Sequence, residues 1–207
     1  MLYHGTSSRH LSKILAEGIR PRHRKNSVWD CASIDSHVYM TEAYALHYAG
    51  AAADDKDNLL IAEIDPDELD RHGTKYPDED FLAQVAPHNF LSEKNLIEKT
   101  KWFAEHIDDY QIMWSASLKG LGNMALRGLV PVTAIKRIAV IDRKAPIRYA
   151  SDPSITITNF RLLGSYYKKL SQHIFEPVQK SDDEECFVMR KVHDIPRKGI
   201  EIMEIGK

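Results

Sequence analysis

The sequence predicts one α+β domain, and three observations carry that prediction. Two apolar runs of strand length, Leu59–Ile64 and Ile135–Ile141, lie far apart in the chain. The block between Asp67 and about Gly122 is patterned for helices. Strand-like and helix-like stretches are therefore segregated and do not alternate, which favours α+β over a doubly wound sheet. With 207 residues, 43% of them hydrophobic, the chain is long enough for one good core and short for two.

Taken in order, Met1 to Tyr3 reads as a short strand running into a His4-Gly5-Thr6-Ser7-Ser8 turn. Leu11, Ile14 and Leu15 follow at helical spacing, and Gly18 stands where a helix C-cap belongs. Arg20 to Lys25 is a basic loop. Val38-Tyr39-Met40 is a β-favouring triplet ending at Thr41, a suitable N-cap for an alanine-rich helix from Glu42 to Ala53. Leu59–Ile64, bounded by Asp57-Asn58 and Asp65-Pro66, is a buried strand. The helical block places Leu96, Ile97, Trp102, Phe103 and Ile107 on one segment and Ile112, Met113 and Leu118 on a later one, and reads as an inserted helical layer. Strand character returns at Met124 to Leu126 and at Ile135–Ile141, separated by Gly128 and Pro131. Beyond Pro153 the pattern predicts a strand at Ile155 to Thr158, a helix near Leu162 to Ile174, and C-terminal strands at Cys186 to Met189 and Ile200 to Ile205.

Composition narrows the function classes. A net charge of -2 gives no global basic signature, so a nucleic-acid partner requires a local patch. The two cysteines, Cys31 and Cys186, have no CxxC or Cys/His spacing, which fits a cytoplasmic protein and offers no zinc or disulfide framework. The N-terminal residues lack the pattern of a secretory leader, and no stretch reaches the ~18 apolar residues of a membrane span. No metal and no membrane are expected.

The first candidate constellation is Tyr3-His4-Gly5-Thr6. A glycine there lets backbone approach a flat ligand, and the histidine can donate to or accept from a ribose hydroxyl; an ordinary turn is the competing reading. The second is Val38-Tyr39-Met40-Thr41 with Tyr44 and Tyr48, which share a helical face and could stack on a planar ring or pack on the sheet. His37, His47, His72, His88 and His106 show no ligand-like pairing, and the acidic run Ser181 to Glu185 reads as an exposed turn.

The order strand-His-Gly-Thr, helix ending Gly18-Ile19, basic loop, Val-Tyr-Met-Thr, then a helix of Ala and Tyr resembles the ADP-ribosyltransferase superfamily, which includes relatives of the poly-ADP-ribose polymerases, the rifampin-modifying transferases and the RNA 2′-phosphotransferases. The resemblance covers about the first 65 residues and returns from Gly122 to Asp142. It implies a split β-sheet with an inserted helical segment. NAD is the implied substrate: His4 would hold its ribose, backbone groups of Gly5 would grip the nicotinamide amide, Tyr39 would stack on the nicotinamide, and Thr6 would belong to the binding set. Arg20 is the candidate for the pyrophosphate. Tyr44 and Tyr48 complete the binding set. His4 and Tyr39 are expected to flank one cleft. Where many relatives carry a catalytic glutamate, this chain has Asn123, which can neither act as a base nor carry charge. Pro77-Asp78-Glu79-Asp80-Phe81 offers a substitute in Asp80 or Glu79, although acidic residues also suit a helix start.

Such an enzyme is a mono-ADP-ribosyltransferase acting on RNA, DNA or protein, of the kind found in toxin, phage or phage-defence systems, where an antitoxin can be a partner. An RNA 2′-phosphotransferase and a non-catalytic module for NAD or ADP-ribose are the alternatives, the latter because of Asn123.

Overall fold

The computed structural model describes residues 1–21, 34–86, 95–151, 157, 159–179 and 186–205. Their strands are β1 (Leu2–Ser7), β2 (His37–Thr41), β3 (Leu59–Ile64), β4 (Gly73–Pro77), β5 (Asn123–Gly128), β6 (Ile135–Ile141) and β7 (Ile200–Glu204). The helices are α1 (Leu11–Glu17), α2 (Ala45–Ala52), α3 (Pro66–Leu69), α4 (Glu79–Val85), α5 (Leu96–His106), α6 (Trp114–Leu121), α7 (Pro146–Tyr149), α8 (Phe160–Phe175) and α9 (Cys186–His193). This is a mixed α and β architecture around one open antiparallel sheet of order β4-β5-β2-β1-β3-β6-β7. Among the described residues no helix is long and apolar enough to cross a membrane.

The apolar runs become the middle of the sheet because every residue of β3 is buried, on both faces. One face is covered by a single cluster that joins Leu2, Val38, Met40, Leu60, Ala62, Met124, Leu126 and Ile138 to Ile14 of α1. The other face is covered by two separate clusters. Tyr3, Leu59, Ile61 and Ala139 pack on α2, α8 and α9. Ala125 and Tyr76 pack on Leu82 of α4 and on Trp102 and Phe103 of α5. Tyr3 pairs with Thr41 and Tyr39 with Ala125, and directly paired residues share a face, so these two clusters lie on the same side and part at the β1/β2 boundary.

That boundary is a seam. β1 is laddered to β3 at six positions and β2 to β5 at five, yet among the described residues β1 and β2 meet at Tyr3↔Thr41 alone. From His4 onward the β2-facing edge of β1 has no ladder partner among the described residues, and an unladdered edge presents backbone donors and acceptors.

Several sequence expectations change. The sheet is continuous across one rung and is not divided into two sheets. His4, Gly5 and Thr6 lie within β1, not in a turn after it. Gly5 is where α2 crosses β1: a Cβ added there would fall 2.6 Å from the Ala49 nitrogen and still closer to the Ala45 carbonyl oxygen. The passage of α2 is by itself enough to require glycine here. Helix α2 starts at Ala45 and not at Glu42 because Thr41 Oγ1 accepts from the backbone N–H groups of Ala43 and Tyr44, holding those residues in a turn. Strand β4 lay hidden in the block read as helical, since Gly, Lys and Pro within Gly73–Pro77 mask a strand; Pro77 is tolerated because β4 is an edge. β5 lies inside the sheet, between β4 and β2. Cys186 to Met189 is helical, with Val188 and Val192 buried one turn apart. Ile157 is buried outside any strand, and the rest of the expected Ile155 to Thr158 strand lies outside the described residues, as do Arg22, Arg24, Lys25, Cys31, His88 and the acidic run 181–185.

Replacing Gly5 by alanine should lower the unfolding free energy by about 1–3 kcal/mol or more, because backbone must move to admit the methyl group. Urea denaturation followed by circular dichroism measures this; an unchanged midpoint would contradict the packing of α2 on β1.

Candidate functional site

His4 spans the seam. Its Nδ1 lies 2.9 Å from the Tyr39 carbonyl oxygen. A carbonyl only accepts, so Nδ1 carries a proton, and in the neutral ring Nε2 is then the acceptor nitrogen. Gly5 sits beside it, and Thr6 is 2% exposed. The imidazole and the Tyr39 ring do not oppose each other as the sequence suggested. His4 pairs with Ala62 and Tyr39 with Ala125, and these belong to clusters on opposite faces of the sheet. The imidazole reaches the backbone of Tyr39, through the seam.

The Tyr39 phenol is tethered at both ends of its oxygen. It accepts from the Ile34 backbone N–H at 2.9 Å and donates to the Glu79 carboxylate. Burial, then the Glu79 charge, raise its pKa well above the ordinary phenol value, so it remains a donor. Glu79 is itself held well above the usual carboxylate range, first by burial and then by Asp78.

Asp78 and Asp80 divide the acidic cluster between buried and exposed. Asp78 is 7% exposed and caps α4 by accepting from the Asp80 N–H at 2.9 Å. Burial pushes its carboxyl up to about 6. Asp80 is exposed. Ser117 Oγ accepts from the Asp78 N–H at 3.0 Å and donates to the Asn123 carbonyl at 2.8 Å, which fixes the start of α4 against the start of β5.

Asn123 is 5% exposed and its Nδ2 donates to the Tyr48 hydroxyl at 2.8 Å. Its Oδ1 is buried without a hydrogen-bond partner. Tyr48 also feels the Asp78 and Asp80 carboxylates, and its pKa is raised, by burial first. The rings of Tyr44 and Tyr48 lie 6.4 Å apart edge to face, as their spacing predicts, but Tyr44 also packs on Tyr167 of α8 at 5.0 Å. It belongs to helix packing as much as to the site.

The structure thus links His4 to Tyr39, Tyr39 to Glu79, and Asn123 to Tyr48 beside Asp78 and Asp80. Arg20 stands apart: it pairs with Glu17 at 3.0 Å at the end of α1 and is largely exposed. Sequence reasoning passed over Asp78 and Ser117. The signal for Asp78 was present, a residue preceding two further acids at a helix start; nothing in the sequence marks Ser117. No group of three or more His, Cys, Asp or Glu residues that could hold a metal occurs among the described residues.

The raised Asp78 carboxyl makes stability depend on pH. Because its folded pKa of about 6 exceeds the ~3.9 of an unfolded aspartate, the native state holds a proton that the unfolded state releases. The favourable contribution is complete below ~3.9 and is lost as pH rises through about 6. Asp78→Asn keeps a capping side chain and has nothing to titrate, so wild-type stability should fall relative to the variant by about 1–3 kcal/mol between about pH 4 and about pH 7. A pH-independent difference in denaturation midpoints would show that Asp78 is solvated.

Comparison of the chain with protein-family models, with curated proteins and with solved structures returned no match.

Proposed function

We propose that the chain is an NAD-dependent mono-ADP-ribosyltransferase that modifies a macromolecular acceptor, on an ADP-ribosyltransferase-like arrangement of its sheet. The observation that carries this reading is the seam: two strands that share one rung, with His4 Nδ1 fixed on the Tyr39 carbonyl across the opening. NAD enters as substrate. A proton on Nδ1 aims the acceptor character of the imidazole at Nε2, which suits a ribose hydroxyl. The edge of β1 beyond Tyr3 suits an amide that both donates and accepts, as nicotinamide does, and places Gly5 and Thr6 at its side. Tyr39 fixes the imidazole through its carbonyl, and Tyr48 supplies an aromatic ring.

Cleaving the nicotinamide–ribose bond builds positive charge on the anomeric carbon, and a nearby carboxylate stabilises it. Asp80, the exposed member of the acidic cluster, is the carboxylate suited to that role; its charge and that of Asp78 act on Tyr48, while Glu79 is held by burial in its neutral form. The resemblance in sequence adds the setting, a cytoplasmic toxin, phage or phage-defence effector, with an antitoxin among its partners. A non-catalytic NAD-binding or ADP-ribose-binding module is the second reading, favoured by one observation: the Asn123 carboxamide is engaged with the Tyr48 hydroxyl.

Incubating the protein with NAD labelled on its adenylate phosphate and with cell lysate, then digesting with nuclease or protease, reports both transfer and the acceptor class. His4→Ala should reduce transfer by about 100-fold or more, and Tyr39→Phe should reduce it as well. Wild-type transfer by both variants would remove the site, and tight NAD binding without cleavage would favour the module.

A further inference from the structure

We infer that the cavity beneath the end of α8 is a second binding site, one that takes a short free peptide by its two charged termini. The cavity has a volume of about 660 Å³, within the range of small-molecule sites. Its floor is a polar row across the sheet: Tyr3 pairs with Glu63, Glu63 with Arg137 and Arg137 with Glu204, and directly paired residues share a face. Its wall is Lys169 and Gln172 of α8 with Glu176 just beyond the helix, residues spaced to lie along one side. Val178, Met189 and Ile205 add apolar surface.

Several groups on this lining lack a partner among the described residues. Tyr3 is 3% exposed, yet its hydroxyl makes no hydrogen bond there, and a buried hydroxyl beside a cavity calls for a partner within it. Arg137 gives three of its five N–H groups to Glu63 and Glu176 and keeps two. The carboxamides of Gln172 and Gln179 are open, and Lys169 and Glu204 form no ion pair with each other or with any other described side chain. Two unpaired charges of opposite sign thus face one cavity. An anion would be opposed by Glu176 and Glu204, a cation by Lys169 and Arg137, and a neutral polyol would leave both charges unmatched. A zwitterion matches both. Lys169 precedes Glu176 by seven residues, roughly 10 Å along a helix axis, so the ligand's charges stand further apart than the ammonium and carboxylate of one amino acid. An extended tripeptide spans about 10 Å. Its carboxylate meets Lys169, its ammonium meets Glu204 and Glu176, and its amides, which both donate and accept, suit the two carboxamides, the Tyr3 hydroxyl and the spare Arg137 N–H groups.

Calorimetric titration of the full chain with tri-alanine tests the site directly. Saturable binding is expected, weakened roughly fivefold or more when the peptide is N-acetylated or C-amidated. Glu204→Gln should weaken tri-alanine by a similar factor and leave the N-acetylated peptide unaffected, and Lys169→Met should do the same for tri-alanine and the C-amidated peptide. Both side chains border solvent-accessible space, so both variants should fold; Tyr3→Phe, which keeps the ring, supplies a third comparison and should also bind less tightly. No saturable binding of tri-alanine, equal binding of the blocked peptides, wild-type binding by Glu204→Gln and Lys169→Met, or saturation by glucose in the peptide's place would overturn the inference.

Discussion

The arrangement depends on the missing rungs between β1 and β2. Two strands that run side by side in one sheet would ordinarily ladder along their length, and here they meet once, at Tyr3↔Thr41. The continuous apolar cluster on one face keeps the seam from coming apart. On the other face α2 lies so close to β1 that position 5 admits no side chain. His4 replaces the absent rungs with one side-chain bond to the Tyr39 carbonyl. A sheet interior is thereby given an unladdered edge without exposure of the core.

The acidic start of α4 shows which effect governs it. An N-cap carboxylate contributes about 1 kcal/mol to a helix. Raising a carboxyl from ~3.9 to about 6 corresponds to roughly 3 kcal/mol of penalty on its charged form. The penalty exceeds the cap, so capping alone does not account for a buried Asp78; an exposed serine would cap as well. Glu63 makes the contrast. It is also buried, but Arg137 grips it with two hydrogen bonds, at 2.5 and 2.9 Å, and reaches Glu176 with a third at 2.8 Å. That carboxylate is structural and fully partnered. Among the described residues no cation acts on Asp78 or Glu79, and groups with strongly shifted protonation cluster at functional sites.

What could be read from the sequence follows from the physics of each signal. β3 and β6 were legible because strands buried on both faces need uninterrupted apolar runs. α8 was legible from its amphipathic spacing. β4 was not, since an edge strand tolerates the glycine, lysine and proline that break a strand pattern. α9 was misread because Cys-Phe-Val-Met has strand-like composition, while the deciding feature is the i, i+4 relation of Val188 and Val192. In the site, His4, Tyr39, Glu79 and Tyr48 were singled out from local patterns and Asn123 through the family resemblance, but their connections were not. No local pattern says that an imidazole will meet a carbonyl 35 residues away, or that a helix will cross the strand at Gly5. Those facts depend on strand order and register, which only the folded chain supplies.

Asn123 and the acidic cluster are best understood as one exchange. A carboxamide donates to the Tyr48 hydroxyl, and an ionised carboxylate at that position could only accept. Glutamate there would also add a negative charge to a region that already holds Asp78 and Asp80 and where, among the described residues, no cation acts on Asp78. Like charges at such separations cannot all remain ionised. A chain that keeps its carboxylates at the start of α4 is therefore driven toward a neutral donor at the start of β5, and a chain with glutamate on the strand would have to give up the cluster. Asn123 is the residue that permits negative charge to approach Tyr39 and Tyr48 from the α4 side.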